Sequence, residues 1–141
     1  MAMVRRRRKN RRRGLATVEM AMVLWLLLVL TLGMLRYGWL FLKTQQITNA
    51  ARNGARIAIL PGVTVVDDVE PAILNLMTAA GMGASGYSVT ITPPDLGSAG
   101  IGSTVTVLIT VPRAAIDIMD LALLPAPESL GAKVTMAKEG P

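Results

Sequence analysis

A long apolar run near the N-terminus dominates the hydropathy pattern of the chain. Residues 15–35, LATVEMAMVLWLLLVLTLGML, contain a single charged residue, Glu19. As a helix, these 21 residues extend about 31 Å, which matches the roughly 30 Å hydrocarbon core of a bilayer. The pattern therefore predicts a membrane-spanning helix from Leu15 to Leu35.

Helical periodicity continues past this run into KTQQITNAARNGARIAIL, residues 43–60. One face of the segment carries small and aliphatic residues at 3.6-residue spacing, and the opposite face is polar. The apolar face consists of Ile47, Ala50, Ala51, Gly54 and Ala58, and the polar face of Asn49, Arg52, Asn53 and Arg56. We expect one helix from about Leu15 to Leu60, ended by Pro61-Gly62.

A stripe of small residues lies within that helix, at Ala51, Gly54, Ala55 and Ala58. Small side chains let the backbone of a second helix approach closely, so the stripe is a candidate surface for bundling with other subunits. Packing against the strands of the same chain explains the stripe equally well. Both interpretations remain open from the sequence.

The remainder of the chain predicts a small α+β domain. A short helix is expected at residues 68–80, capped by Asp67 or Asp68 and ended by GMGASG. Two alternating segments, 87–92 and 105–111, predict antiparallel strands, and 132–138 predicts an edge strand protected by lysines. Residues 113–131 are ambiguous, with one short helix expected around 114–121 and a proline-rich loop after it.

The charge of the chain is concentrated at its N-terminus. The net charge is +6, but residues 1–13 hold eight of the fifteen Lys and Arg and none of the nine acids, so the rest carries 7 − 9 = −2. A basic flank on one side of an apolar span indicates a cytoplasmic N-terminus. We therefore expect no nucleic acid as a partner, since the cationic tail lacks aromatic residues for base stacking and precedes a membrane helix.

Catalytic and ligand-binding signatures are weak. The chain has no cysteine and no histidine, which excludes disulfides, thiol nucleophiles and Ser-His-Asp triads. GMGASG fits G-x-G-x-x-G, but a dinucleotide site needs a strand before the motif and a helix after it, and here the order is reversed. Asp67, Asp68 and Glu70 lack the spacing of a calcium loop. We expect no enzyme activity, no catalytic residue, no metal, no cofactor and no small-molecule substrate.

Glu19 is the residue that most needs a functional explanation. A carboxylate in lipid costs on the order of 3 kcal/mol, so it is either close enough to the interface to reach headgroups or carry a proton, or it has a partner. Cleavage after Gly14 would make Leu15 a new N-terminus with a free ammonium. Glu19 of a neighbouring subunit would then neutralise that ammonium within a helix bundle.

The arrangement of RRRG followed by LATVE, with Gly14 and then Glu19 at the fifth position after it, resembles the class III signal of type IV pilins and pseudopilins. With YGWLF and the run NAARNGAR at residues 49–56, residues 13–60 resemble the TadE-like family of minor pseudopilins from tight-adherence (Flp) pilus systems. The resemblance implies that prepilin peptidase cuts between Gly14 and Leu15. It also implies that Glu19 serves assembly and that other pilin subunits and the assembly machinery are partners.

These observations define the expected architecture and role. We expect an α+β membrane protein in which a long N-terminal transmembrane helix extends into a small exterior domain with a short helix and antiparallel strands. Its parts are a basic cytoplasmic leader (1–14), the transmembrane and extended pilin-like helix (15–60) and the exterior domain (61–141). The expected location is the bacterial inner membrane, single-pass, with the C-terminal domain periplasmic or extracellular. The alternative is an uncleaved membrane anchor whose exterior domain binds an envelope partner.

Overall fold

The computed structural model describes residues 7–118 and 125–139, with side chains from Gly14 onward. Helix α1 (Arg7–Ala58) is followed by a π-helical turn (Val65–Val69) and helix α2 (Glu70–Ala79). Strands β1 (Ser88–Thr92), β2 (Thr104–Pro112) and β3 (Ser129–Ala137) form the sheet, with a 3-10 turn (Arg113–Ala115) after β2. A long apolar helix, a short helix and a three-stranded antiparallel sheet confirm the predicted α+β class.

Helix α1 confirms the long predicted helix, with bounds shifted toward the N-terminus. It begins at Arg7 rather than at Leu15 and ends at Ala58, two residues before the predicted end. The chain then turns at Pro61-Gly62, where Gly62 has a φ of 73°, in the left-handed region that glycine adopts without strain. The leader residues 1–6 lie outside the described part of the chain.

The chain divides into two compact units, residues 1–37 and residues 38–141. In the first unit, the side chains from Gly14 to Leu28 are all exposed. Among the described residues, one helix, Gly14–Ala58, is long and apolar enough to cross a membrane. The exposed apolar side chains suit a lipid solvent, since water would make this surface unfavourable.

In the second unit, α1 packs its small-residue face into the core. Ile47, Ala51, Ala55 and Ala58 are completely buried, whereas the polar face formed by Asn49, Arg52, Asn53 and Arg56 is exposed, as the periodicity predicts. A β-carbon added at Gly54 would lie 2.7 Å from Cδ1 of Ile73 in α2. Only glycine allows the two helices to approach this closely.

The start of α2 differs from the predicted capping. Thr64, rather than Asp67 or Asp68, caps the π-helical turn, and its hydroxyl accepts from the backbone N–H of Asp67 at 3.2 Å. The carboxylate of Asp68 accepts from the backbone N–H of Thr64 at 2.9 Å, a reciprocal arrangement like a capping box. The aspartates therefore contribute to the cap, but as partners of a residue that the sequence interpretation overlooked.

The sheet has the order β1-β2-β3 with both neighbouring pairs antiparallel. Val89 pairs with Ile109, and Val107 pairs with Val134, so the residues that the alternation predicts to be buried share one face. On that face β2 buries Val105, Val107, Ile109 and Val111 completely. The predicted pairing of β1 with β2 is confirmed, and β3 is an edge strand that begins at Ser129 rather than at residue 132.

The predicted helix at 114–121 is wrong within the described residues. A single 3-10 turn at Arg113–Ala115 is followed by a turn at Ile116 and a bend at Ile118, and residues 119–124 lie outside the described part. Pro112 sets an extended backbone (φ −61°, ψ 131°) at the start of this turn, and the backbone N–H of Arg113 donates to Glu128 O at 2.9 Å. That bond holds the segment beside the start of β3.

The close approach at Gly54 gives a stability prediction. Gly54→Ala lowers the free energy of unfolding by about 1–2 kcal/mol, because the overpacking cost exceeds the gain in helix propensity. Adding Ile73→Ala removes both Ile73 atoms that lie within 3 Å of the added β-carbon, Cδ1 at 2.7 Å and Cγ1 at 2.8 Å, so the double variant loses less than the sum of the single losses. Thermal and denaturant unfolding of the full chain in detergent measures these differences.

Gly38→Ala is the matched control, since a β-carbon at Gly38 in the same helix meets nothing within 4 Å. We expect this variant to be neutral or to gain up to about 1 kcal/mol. Losses at Gly54 and Ile73 that simply add would mean that Ile73 does not limit the approach of the two helices.

Candidate functional site

The predicted processing residues lie on an exposed stretch of α1. Leu15 is exposed, and a β-carbon placed on Gly14 would meet nothing within 4 Å. The polypeptide around the Gly14-Leu15 bond is therefore sterically open to another protein. The bond lies inside α1, however, so a peptidase that binds extended backbone must first unwind this part of the helix.

Glu19 is exposed on the same helix. It follows Leu15 by four residues, so the two lie on one face of α1, about 6 Å apart along the axis. The geometry places a carboxylate on the surface that would face neighbouring helices in lipid. It also places that carboxylate one turn from the predicted new N-terminus.

The four residues of the small stripe occupy a different environment. Ala51, Gly54, Ala55 and Ala58 are all buried within the second unit of their own chain, and the Gly54 face meets Ile73 in α2 and Val69 in the π-helical turn before it. Of the two interpretations left open by the sequence, packing within the chain is therefore the one observed. The partner at Gly54 is helix α2 rather than a strand.

A buried lysine links α1 to the end of α2. Lys43 is 8% exposed, and its Nζ donates to the carbonyl of Ala80 at 2.6 Å. The ammonium also lies 4.9 Å from the ring centroid of Trp39, which is within cation–π range. A cation is favourable here, because Ala80 is the C-cap of α2 and the C-terminal end of a helix carries partial negative charge.

Backbone hydrogen bonds close the end of α2 beside this lysine. The N–H of Gly81 donates to Thr78 O at 2.9 Å and that of Met82 to Met77 O at 2.7 Å, which is the hydrogen-bond pattern of a Schellman motif. Gly81 has the left-handed φ of 70° that the motif requires. The GMGASG segment is therefore a helix-ending loop, as expected, and Lys43 binds a further carbonyl at the same end.

Sequence reasoning missed the role of Lys43. Lys43 precedes Ile47 by four residues and so belongs to the buried face of α1. That periodicity was the signal available. The Ala80 carbonyl it binds is 37 residues away and leaves no local mark in the sequence.

The described residues offer little that resembles a catalytic centre. They contain no group of three or more Asp or Glu side chains placed to hold a metal ion. A shallow groove between α2 and β1 is lined by Val66, Glu70, Pro71, Leu74, Tyr87 and Val89. It contains a single carboxylate among mostly apolar side chains.

Together the fold and these residues define a class of protein, a small α+β domain continuous with an N-terminal helix that can span a membrane. A family model described as TadE-like protein matches residues 14–56. The match confirms the resemblance drawn from the sequence and includes Gly14, Leu15 and Glu19. Neither the search of curated proteins nor the search of solved structures returns a match.

The family match supports a coarse statement of role. It suggests a membrane protein associated with a Tad pilus, in a family that is structural rather than enzymatic. The match ends within α1, two residues before Ala58, so the sheet and α2 carry no family assignment.

The lysine contact is open to direct test. Lys43→Met keeps a long side chain but removes the ammonium, so Ala80 O loses a charge-assisted hydrogen bond. We expect the free energy of unfolding to fall by about 1–3 kcal/mol. The same change at Lys133, which is exposed on β3, should stay within about 0.5 kcal/mol. Equal effects at both positions in denaturant unfolding would contradict a specific role for the Lys43 contact.

Proposed function

We propose that the protein is a structural minor pseudopilin of a tight-adherence-type pilus or a related secretion assembly. The observation that carries this proposal is the TadE-like match that begins at Gly14, with Glu19 five residues later on an exposed apolar helix. The role requires a membrane-inserted precursor, a processing step and a surface that recruits neighbouring subunits. Each of these has a candidate in the first turns of α1 after Gly14.

The precursor lies in the bacterial inner membrane with its N-terminus in the cytoplasm and residues 61–141 on the periplasmic or extracellular side. This orientation follows from the eight basic residues in the first thirteen, which resist translocation. Only Arg36 and Lys43 follow closely at the other end of the apolar segment. The one candidate span in the described residues supports a single-pass topology.

Prepilin peptidase hydrolyses the Gly14-Leu15 peptide bond. The reaction releases residues 1–14 with a new carboxylate on Gly14, and it leaves an ammonium on Leu15. All eight leader cations leave with the released peptide. The helix then lacks the charges that anchor it to the cytoplasmic face, so withdrawal from the membrane into an assembly becomes less costly.

Glu19 recruits the next subunit through this new ammonium. Both charges are unfavourable in hydrocarbon alone, and pairing them removes much of that cost. The pairing of Leu15 in one subunit with Glu19 in its neighbour also sets the register between the two helices. Pilin or pseudopilin subunits and the assembly machinery are therefore the partners.

An uncleaved single-pass anchor is the second candidate. The observation that favours it is the continuity of α1 from Arg7 through Gly14, with no break at the cleavage position. In that role residues 1–14 remain as a permanent anchor. The exterior domain would then bind an envelope partner.

Processing is tested by intact mass and N-terminal sequence, with and without prepilin peptidase. We expect a product that begins at Leu15 only when the peptidase is present, and we expect Gly14→Val to stay full-length in both cases. Gly38→Val, the same change at an exposed glycine further along α1, should still be processed. A chain that keeps its leader with active peptidase would contradict the pseudopilin role and favour the uncleaved anchor.

Assembly is tested separately at Glu19. Glu19→Ala and the isosteric Glu19→Gln should both be cleaved normally but incorporate poorly, because neither can neutralise the Leu15 ammonium. Crosslinking of the processed protein to other pilus subunits, together with counts of pili per cell, measures this loss. Glu70→Gln, at an exposed carboxylate on α2, should assemble normally. A normal number of pili with Glu19→Gln would contradict the proposed pairing of Glu19 with the Leu15 ammonium of the next subunit.

A further inference from the structure

Trp39 connects α1 to the turn that follows β2. Its indole Nε1 donates to the backbone carbonyl of Ile116 at 2.8 Å, across 77 residues of sequence. The contact fixes the position of the Ile116 backbone along α1. The carbonyl of Ile116 therefore lies within one tryptophan side-chain length of α1 at Trp39.

The turn from Arg113 to Asp117 is held by several local bonds. The carbonyl of Arg113 accepts from the N–H of Ile116 and from that of Asp117, each at 2.9 Å. The guanidinium of Arg113 lies 3.9 Å from a carboxylate oxygen of Asp117. These bonds fix the backbone conformation of the turn.

Apolar side chains are exposed on both elements that this contact joins. Ile118, immediately after the turn, is 60% exposed, and on α1 Phe41 is 66% and Leu42 is 48% exposed. Together with Trp39 and Ile116 they are large hydrophobic residues near one end of the domain. We call Phe41, Leu42 and Ile118 the proximal collar.

The position of the collar follows from helix geometry. Trp39 lies four residues after Leu35, the last residue of the apolar span, and therefore about 6 Å beyond it along α1. The headgroup layer on each side of a bilayer is about 5–8 Å thick. Trp39 thus lies at headgroup level, where tryptophan is favoured, and its bond to Ile116 brings the turn to the same level.

We propose that the turn at residues 113–118 is a second membrane contact, with Ile118 inserted at the boundary between headgroups and acyl chains. This inference rests on the proposed membrane anchoring and adds a surface to it. The chain then contacts the outer leaflet at Ile118 as well as through the span. The contact is released when the subunit leaves the membrane.

A lipid surface is the occupant that the structure favours for this collar. Phe41 and Leu42 follow Leu35, the last residue of the apolar run, by only six and seven residues, so a lipid surface lies close to this part of α1. Interfacial segments bury apolar side chains about 5–10 Å into this region, which a side chain at headgroup level can reach. A second copy of the chain is the competing occupant, and the test separates the two.

The experiment uses nitroxide labels on single cysteines, which the absence of native cysteine makes straightforward. The full chain in lipid vesicles carries the label at Ile118→Cys, at Leu26→Cys in the middle of the span, or at Ile101→Cys. Ile101 is the matched control, an isoleucine with 73% exposure. The N–H of the neighbouring Gly102 donates to Lys138 O, and the N–H of Glu139 donates to Ile59 O. Ile59 follows the last residue of α1 and lies about 30 Å from Trp39 along the helix axis, so Ile101 is at the end of the domain away from Trp39.

Collisions with oxygen, which concentrates in lipid, and with a polar nickel chelate, which stays in water, report the depth of each label. We expect nickel accessibility at Ile118 to be several-fold lower than at Ile101, with oxygen accessibility raised toward the value at Leu26. Nickel accessibility at Ile118 equal to that at Ile101, with Leu26 still in hydrocarbon, overturns this inference alone. Nickel access at Leu26 equal to that at Ile101 would instead overturn the membrane anchoring itself.

Dilution with unlabelled protein distinguishes the second-copy alternative. If lipid covers the collar, the Ile118 spectrum stays unchanged when labelled chains are diluted. Spin–spin broadening that disappears on dilution, with low access to both oxygen and nickel, would show that another copy covers Ile118 and would overturn the lipid contact.

Discussion

The structure depends on one constraint, that a single helix must suit two different solvents. From Gly14 to Leu28 every side chain of α1 is exposed, and nearly all are apolar, a surface that suits lipid rather than water. From Leu40 to Ala58 the same helix buries a face of small and aliphatic residues in protein. Apolar residues on all sides of the helix suit lipid, whereas an apolar face that recurs every 3.6 residues suits packing against the protein core.

The rest of the domain is arranged around the second part of α1. Gly54 brings α2 close enough for Ile73 and Met77 to be completely buried, which stabilises by roughly 1.5–3 kcal/mol for each side chain. Lys43 binds the carbonyl at the far end of α2. A helix of ten residues is marginal alone, so these contacts determine whether α2 forms.

The same dependence explains which features were predictable from the sequence. Local periodicity predicts the long helix, the exposed polar face of α1 and the β1–β2 pair. Side chains repeat about every 3.6 residues in a helix and every 2 residues in a strand, and both periods are properties of the backbone. Gly14 and Glu19 were found through their spacing and their charge in an apolar segment. The family match includes both residues, but their roles in processing and assembly remain proposals.

The missed features have a common cause, since each depends on a partner that local patterning does not reveal. Thr64 acts as a cap only because Asp67 and Asp68 turn back toward it. The segment after β2 is ambiguous from its sequence, and the bond from Arg113 N–H to Glu128 O ties it to the start of β3. The bond from Trp39 to Ile116 joins residues 77 positions apart, so it depends on the tertiary fold.

The central claim is that lipid stabilises the first part of α1 and the protein core stabilises the second. Amide hydrogen exchange of the full chain in bilayer nanodiscs, compared between the native sequence and Gly54→Ala, tests this claim most directly. The account predicts that amides at 18–35 stay equally protected in both proteins, while those at 43–58 lose protection in the variant. Loss of protection along the whole helix, or unprotected amides at 18–35 in the native protein, would contradict it.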